Sequence, residues 1–207
     1  MTMRGTRATD RGFFFYGVRR TELRAPRAAH VRSDKGIRMD ALDAIFTRRS
    51  VRRYTPQPVP EDVLRTLLAA AMNAPSAGNE QPWQFVVITE RALMDGIAAY
   101  HPHAQMLTAA PTAVLVCADL RRQKHEGSWV LDCAAATENL LLAAHACGLG
   151  AVWVGIHPRP EREAKMRELC ALPEYVVPVS LVPLGYPGET LSPVRRFDPE
   201  KVRLNRW

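Results

Sequence analysis

The sequence has no closely spaced cysteines. Its four, Cys117, Cys133, Cys147 and Cys170, form no C-x-x-C pair. That argues against a zinc site or an iron–sulfur cluster and fits buried thiols in a reducing cytosol, so a cytoplasmic location is expected. The histidines are no better arranged for a metal. His30, His101, His103, His125, His145 and His157 never pair at i,i+4 around an acid, so no metal ligand is assigned. His145 falls in an apolar segment and reads as a core histidine. No serine stands in a G-x-S-x-G context, which argues against a serine hydrolase. Long apolar runs are missing too. The longest candidate, residues 140–156, is short for a membrane span and broken by His145, Gly148 and Gly150, so no membrane partner is expected. The same glycines do not make a dinucleotide loop, because they lead from helix into strand rather than from strand into helix.

Acids are scarce in one place. Residues 1–38 hold ten of the 28 Lys and Arg but three of the 21 Asp and Glu, which leaves 18 of each sign for residues 39–207. The whole net charge of +7 therefore belongs to the N-terminal segment. A neutral body offers no field for a polyanion, and no nucleic-acid partner is expected. Residues 1–38 have no helical or strand periodicity and no signal-peptide core, and Phe13-Phe14-Phe15-Tyr16 is their one apolar cluster. A disordered arm, or an extension from a misassigned start, suits them better than a targeting segment. Met39 opens the ordered pattern, so one domain over 39–207 is expected.

What is present is a regular alternation of elements. Residues 40–47 place Leu42, Ile45 and Phe46 at helical spacing behind a capping Asp40. Pro60 suits the first position of a helix with an apolar stripe from Val63 to Met72. Residues 76–83 read as a loop of small and polar residues, and 84–89 as a strand. A short helix over 91–100, an irregular stretch over 101–106 and a strand buried on both faces over 112–118 follow. Residues 129–147 form a long helix that is apolar nearly all round, ended by Gly148. A strand over 150–156, a helix over 161–170 and a strand over 176–184 precede a proline-punctuated tail. Mixed helices and strands around one core predict an α+β or α/β sandwich.

The densest chemistry is Arg48-Arg49-Ser50-Val51-Arg52-Arg53. Guanidinium forks beside a hydroxyl suit a phosphate, and Arg195-Arg196 near the C-terminus could clamp it from a second side. Asn79 and Gln81 offer donors and acceptors for the edge of a polar heterocycle. No side chain stands out as nucleophile or general base, which is what an enzyme needs when a cofactor carries the chemistry.

Four motifs in this order resemble the FMN-dependent nitroreductase family. They are Arg48-Arg49-Ser50-Val51-Arg52, the run Ala74-Pro75-Ser76-Ala77-Gly78-Asn79-Glu80-Gln81-Pro82-Trp83, then Gly148-Leu149-Gly150-Ala151-Val152-Trp153, and the C-terminal basic pair. The likeness spans residues 39–207 and is greatest to the compact bacterial branch. Iodotyrosine deiodinases share the first two motifs, but the acid, tyrosine and lysine of their substrate lid have no counterpart here, and residues 101–110 offer little material for a lid.

The resemblance implies a three-layer α+β sandwich, a central mixed sheet flanked by helices, in a homodimer with FMN at the interface. The apolar helix over 129–147 would then meet the other subunit. It also implies that Arg48, Arg49 and Ser50 face the phosphate and ribityl chain, and that Arg52 lies near N1 and O2 of the ring. Pro75 and Ser76 would reach the ring from the neighbouring subunit, with Asn79 on a polar edge. Trp153, Val154 and Gly155 would give backbone contacts near N5, and Arg195 or Arg196 would return to the phosphate. The implied activity is ping-pong hydride transfer from NADH or NADPH to a small nitroaromatic, quinone or similar acceptor. The alternatives are enone reduction or flavin breakdown on the same fold, or non-catalytic FMN binding.

Overall fold

A computed structural model describes residues 39–207; the basic arm expected for residues 1–38 lies outside the described residues. Asp40 caps α1 (Ala41–Thr47) by accepting the Leu42 N–H at 2.9 Å, as its position predicts. α2 (Glu61–Met72) carries Glu61 and Asp62 in its first turn, where carboxylates favour the helix dipole. Pro60 stands one place earlier than expected, as the N-cap. Then come β1 (Trp83–Ile88) and α3 (Arg91–Tyr100), followed by a single 3₁₀ turn over Gln105–Thr108 within the irregular stretch. β2 (Thr112–Asp119) is buried at every position.

α4 (Ser128–Ala146) is the long apolar helix, and Gly148 leaves its end at φ +75°. β3 (Gly150–Ala151), β4 (Val154–Gly155), α5 (Pro160–Leu169) and β5 (Val176–Gly185) complete the domain. The expected single strand over 150–156 is thus two short ones. Both pair with β5 in one register, Ala151 opposite Leu184 and Val154 opposite Leu181. The ladder opens only at Val152 and Trp153, where the backbone turns to a cavity described below.

The sheet order is β1-β2-β5-β3, with β4 also on β5, and every strand pair is antiparallel. The parallel component expected of a mixed sheet reduces, among the described residues, to one bridge between Ser50 and Ala151. Alternation along β2 builds the layers. Val114, Val116 and Ala118 pack with Leu67 of α2 and Ala136 and Leu140 of α4. Ala113, Leu115 and Cys117 pack with Ile97 of α3 and Met166 of α5. Helices on both faces of one sheet make the three-layer α+β sandwich.

Candidate functional site

The arginine segment leaves α1 as extended chain and is held there by backbone contacts. The Val51 N–H donates to Ala151 O at 3.0 Å, beside the Ser50–Ala151 bridge. Gly150 must be glycine for this approach, since a Cβ there would stand 2.6 Å from Val51 Cγ1. The Tyr54 hydroxyl donates to Val51 O at 2.7 Å, and burial pushes its pKa up. Glu189 Oε1 accepts the N–H groups of Arg52 (2.6 Å) and Arg53 (3.1 Å). Arg49 donates from Nε to Ser192 O at 3.0 Å, from Nη1 to Phe46 O at 3.1 Å and from Nη2 to Val194 O at 3.4 Å. The C-terminal tail is therefore stapled across the arginines by Glu189 and Arg49.

The cations stay poorly neutralised. Burial lowers the pKa of Arg49, and the charges of Arg196 and Arg48 lower it further. Arg48 Nε is buried without a hydrogen-bond partner, with Glu138 Oε1 at 3.4 Å. His145 on α4 lies 2.7 Å from Thr47 Oγ1, whose own hydrogen goes to Asp43 O. Its Nε2 must then be the donor. Burial, and after it Arg48 and Arg49, lower the His145 pKa, so the ring is held neutral. His145 is a satisfied, half-buried histidine that faces the arginines.

Next to this cluster a cavity of about 460 Å³ is lined by Arg52, by Pro102, His103, Gln105 and Met106, and by Val152, Trp153, Val154 and Gly155. Arg52 Nη1 donates to Ser50 O at 3.3 Å. The structure thus brings Arg48, Arg49, Ser50, Arg52, Arg196, Trp153, Val154 and Gly155 into one neighbourhood. Arg195 makes no hydrogen bond or ion pair among the described residues.

Pro75, Ser76, Asn79 and Gln81 lie elsewhere. Ala77 N–H donates to Asp132 Oδ1 at 3.0 Å, in the first turns of α4, whereas Thr47 meets His145 in its last turn. Thirteen residues of helix separate those anchors, about 20 Å at ~1.5 Å per residue. The sheet gives the same measure. Trp83 opposes Ala118, which opposes Val177, while Ala151 opposes Leu184; seven residues of β5 span roughly 23 Å. The loop itself is bent hard, with Gly78, Asn79 and Gln81 at φ +52°, +56° and +49°. Buried Glu80 holds it by accepting the His125 N–H at 2.8 Å and meeting His125 Nδ1 at 2.6 Å.

Sequence reasoning missed Glu189, Glu80 and Asp132, carboxylates that hold the motifs from outside or beneath them. It also discounted residues 102–106, which form one wall of the cavity. A buried acid inside the second motif was the available signal for Glu80; the other two have none.

The sequence profile of the Nitroreductase family matches residues 45–104 and 98–186. A Methanothermobacter thermautotrophicus protein provisionally named NADH dehydrogenase/NAD(P)H nitroreductase is 45% identical over 170 residues, covering 82% of this chain and 89% of that one. The FMN reductase [NAD(P)H] of Bacillus subtilis is 26% identical over 182 residues, covering 79% of this chain and 72% of its own. Among solved structures, a provisionally named nitroreductase of Desulfovibrio desulfuricans in complex with FMN superposes with a TM-score of 0.71 at 32% identity, covering 82% of this chain and 99% of that one.

Proposed function

Because the chain belongs to the nitroreductase family and is an FMN-dependent NAD(P)H oxidoreductase, we propose that it reduces small electron-poor acceptors of the nitroaromatic or quinone kind. The observation that carries the site is Arg48 Nε, buried and without a hydrogen-bond partner beside two further arginines that raise each other's electrostatic energy. Such a cluster fits a phosphate dianion, which would take the orphaned donor and relieve the repulsion. Arg48, Ser50 and Arg196 would hold the phosphate and ribityl chain. Arg49 has its donors on carbonyls of residues 46, 192 and 194, so its part is to hold in place the tail that brings Arg196. Among the basic pair, Arg196 is the member that acts on Arg49.

When bound, FMN supplies the N5 centre that takes hydride from NAD(P)H and gives it to the acceptor in ping-pong order. Arg52 lines the cavity and would stabilise negative charge on the N1 and O2 side of the ring. The backbone of Trp153, Val154 and Gly155 would border the ring near N5. Residues 102–106, which line the same cavity, would border the acceptor.

Pro75, Ser76, Asn79 and Gln81 are too far along α4 to share this cavity within one chain. They would complete the cavity of a second copy, which makes the working unit a homodimer. Exposed Leu42, Ile45 and Phe46 on α1, Leu131 on α4 and Phe197, Leu204 and Trp207 on the tail supply apolar surface for that contact. No described helix is long and apolar enough to cross a membrane, and the four unpaired cysteines suit a reducing cytoplasm.

The test is the absorbance spectrum of the purified protein, identification of the chromophore released by heat, and NAD(P)H oxidation with a quinone and a nitroarene. Flavin bands with roughly one FMN per chain, and turnover with either acceptor, are expected. A colourless protein that takes up no added FMN would overturn the proposal. One that holds FMN without turnover would reduce it to a flavin-binding protein.

A further inference from the structure

His101 is almost fully buried, 1% exposed, at the end of α3. Its Nε2 lies 3.1 Å from Gly155 O, and its Nδ1 accepts the His103 N–H at 3.2 Å. A carbonyl can only accept and an amide N–H can only donate, so the two partners fix one neutral tautomer, with hydrogen on Nε2. Burial lowers its pKa; the bond to Gly155 acts against this, and the nearby Arg162 and His103 act with it. Arg162 of α5 donates to the same Gly155 oxygen at 2.9 Å.

Both partners of this ring belong to residues that line the cavity, from two segments far apart in the sequence. Gly155 belongs to the 152–155 backbone and His103 to the 102–106 segment. The rest of that segment is tied back to its own side: Gln105 Nε2 donates to Ala98 O at 2.7 Å, and the Met106 carbonyl accepts from Ala110. Among the hydrogen bonds of the described residues, the imidazole is the link that joins the two segments.

We propose that His101 is a positioning residue for the acceptor, a clamp that fixes the width of the cavity between residues 102–106 and the 152–155 backbone. It touches neither cofactor nor substrate. It sets where the wall stands, and so how closely an acceptor is held. The inference rests on the assignment of this cavity to FMN and its acceptor.

The two bonds can be separated by substitution in the full-length holoenzyme. His101→Asn keeps an acceptor where Nδ1 stands, in the geometry of an Asx turn to the N–H two residues on. His101→Gln keeps a donor toward Gly155, and His101→Leu removes both. Amide exchange of His103 reads the Nδ1 bond and the carbonyl chemical shift of Gly155 reads the Nε2 bond, both without reference to turnover. Protection should be retained in His101→Asn and fall about five-fold in His101→Gln and His101→Leu, the size of one lost hydrogen bond. Quinone KM should rise about five-fold in His101→Leu, with kcat and FMN content within about two-fold of wild type.

Wild-type exchange and KM in His101→Leu would overturn the proposal, as would a fall in kcat or FMN content with KM unchanged. If His101→Leu does not fold, quinone KM in the other two variants decides: it should rise in His101→Asn, which loses the bond to Gly155, and stay near wild type in His101→Gln, which keeps a donor there, and the reverse order would overturn the proposal. A wild-type protein that takes up no FMN would refute the cofactor assignment instead, and the Gly155 carbonyl shift, moved in His101→Asn and His101→Leu but not in His101→Gln, would still confirm or refute the clamp.

Discussion

The arginine segment and the 76–81 loop are the two densest motifs in the chain, and they are built in opposite ways. The first has an ordinary extended backbone, fixed by the Ser50–Ala151 bridge and by Glu189, and presents charge through its side chains. The second has three left-handed residues among four, pinned underneath by Asp132 and Glu80. Its unusual feature is the shape of its backbone. A phosphate can be met by flexible forks on a regular strand. The loop instead holds a rigid, strained contour, the kind of surface that the proposed contact with a flat ring edge would need. The two kinds of contact therefore fail differently when mutated.

Gly150→Ala should have the largest effect, since it attacks the support of the first motif. Its Cβ would meet Val51 at 2.6 and 2.8 Å, an overpacking that costs about 3 kcal/mol. Urea denaturation should show that loss, with FMN retention falling alongside it. Val51→Ala in the same chain should restore only part of both, because it removes the 2.6 Å contact and keeps the 2.8 Å one with Val51 Cβ. A Gly150→Ala protein of wild-type stability would show that the bridge does not hold the arginines.

Next are the charges themselves. Arg48→Ala and Arg196→Ala should each weaken FMN binding by roughly ten- to a hundred-fold, the range of a lost charged hydrogen bond. Without FMN, Arg196→Ala should not lower the melting temperature, because it removes a repelling cation, whereas Arg48→Ala also loses its ion pair with Glu138. Arg52→Ala should keep its FMN and lower the flavin potential. Wild-type flavin-to-protein ratios after gel filtration in both Arg48→Ala and Arg196→Ala would remove the phosphate assignment. An unchanged potential would remove that of Arg52.

Gly78→Ala attacks the second motif through its contour, at a lower cost of about 1–2 kcal/mol for a left-handed alanine. Part of the cost is the contact of the new Cβ with His125 Cε1 at 2.7 Å. His125 sits on an exposed loop and can yield, but only by loosening its 2.6 Å contact with buried Glu80, so His125→Ala should not restore the stability lost in Gly78→Ala. If the loop serves a second copy, FMN content should also fall although no arginine has changed. Full FMN content in Gly78→Ala would break that link.

The sequence made the elements legible because their signals are local. Asp40 before an apolar stripe, Gly148 after a long apolar helix and eight buried residues in β2 each declare themselves within a few positions. The arginines and the amide loop were visible for the same reason, as compact runs of unusual composition. The break between β3 and β4 was not, because residues 150–156 are apolar throughout and the ladder opens where backbone meets cavity. Glu189 and Asp132 were hidden because each acts on a motif 55 or more residues away. Residues 102–106 looked too short for a lid, yet a wall needs only an anchored position, and the anchor is a histidine just outside the cavity lining.

The smallest expected effect separates the two motifs by pH. Near the arginines, His145 has a pKa lowered from its ordinary 6.5 by burial and by Arg48 and Arg49. The unfolded chain therefore takes up that proton first, and stability should fall as pH drops below 6.5 toward the folded value. In the loop, desolvation raises the Glu80 pKa, but the hydrogen bonds from His125 and Lys124 outweigh it and leave the pKa below its ordinary 4.5. Glu80 stabilises the fold above 4.5, and that contribution should be lost as pH falls through the folded value. Melting temperature against pH should thus show two steps, removed separately by His145→Gln and Glu80→Gln. The second variant should also be less stable at neutral pH, where its amide would face the His125 N–H. Added inorganic phosphate should shrink the upper step alone, because an anion on Arg48 and Arg196, beside Arg49, offsets the cations that act on His145 and does nothing for Glu80. An acid limb unchanged by His145→Gln would show that the arginines do not reach the ring, leaving the loop as the only acid-sensitive one of the two motifs.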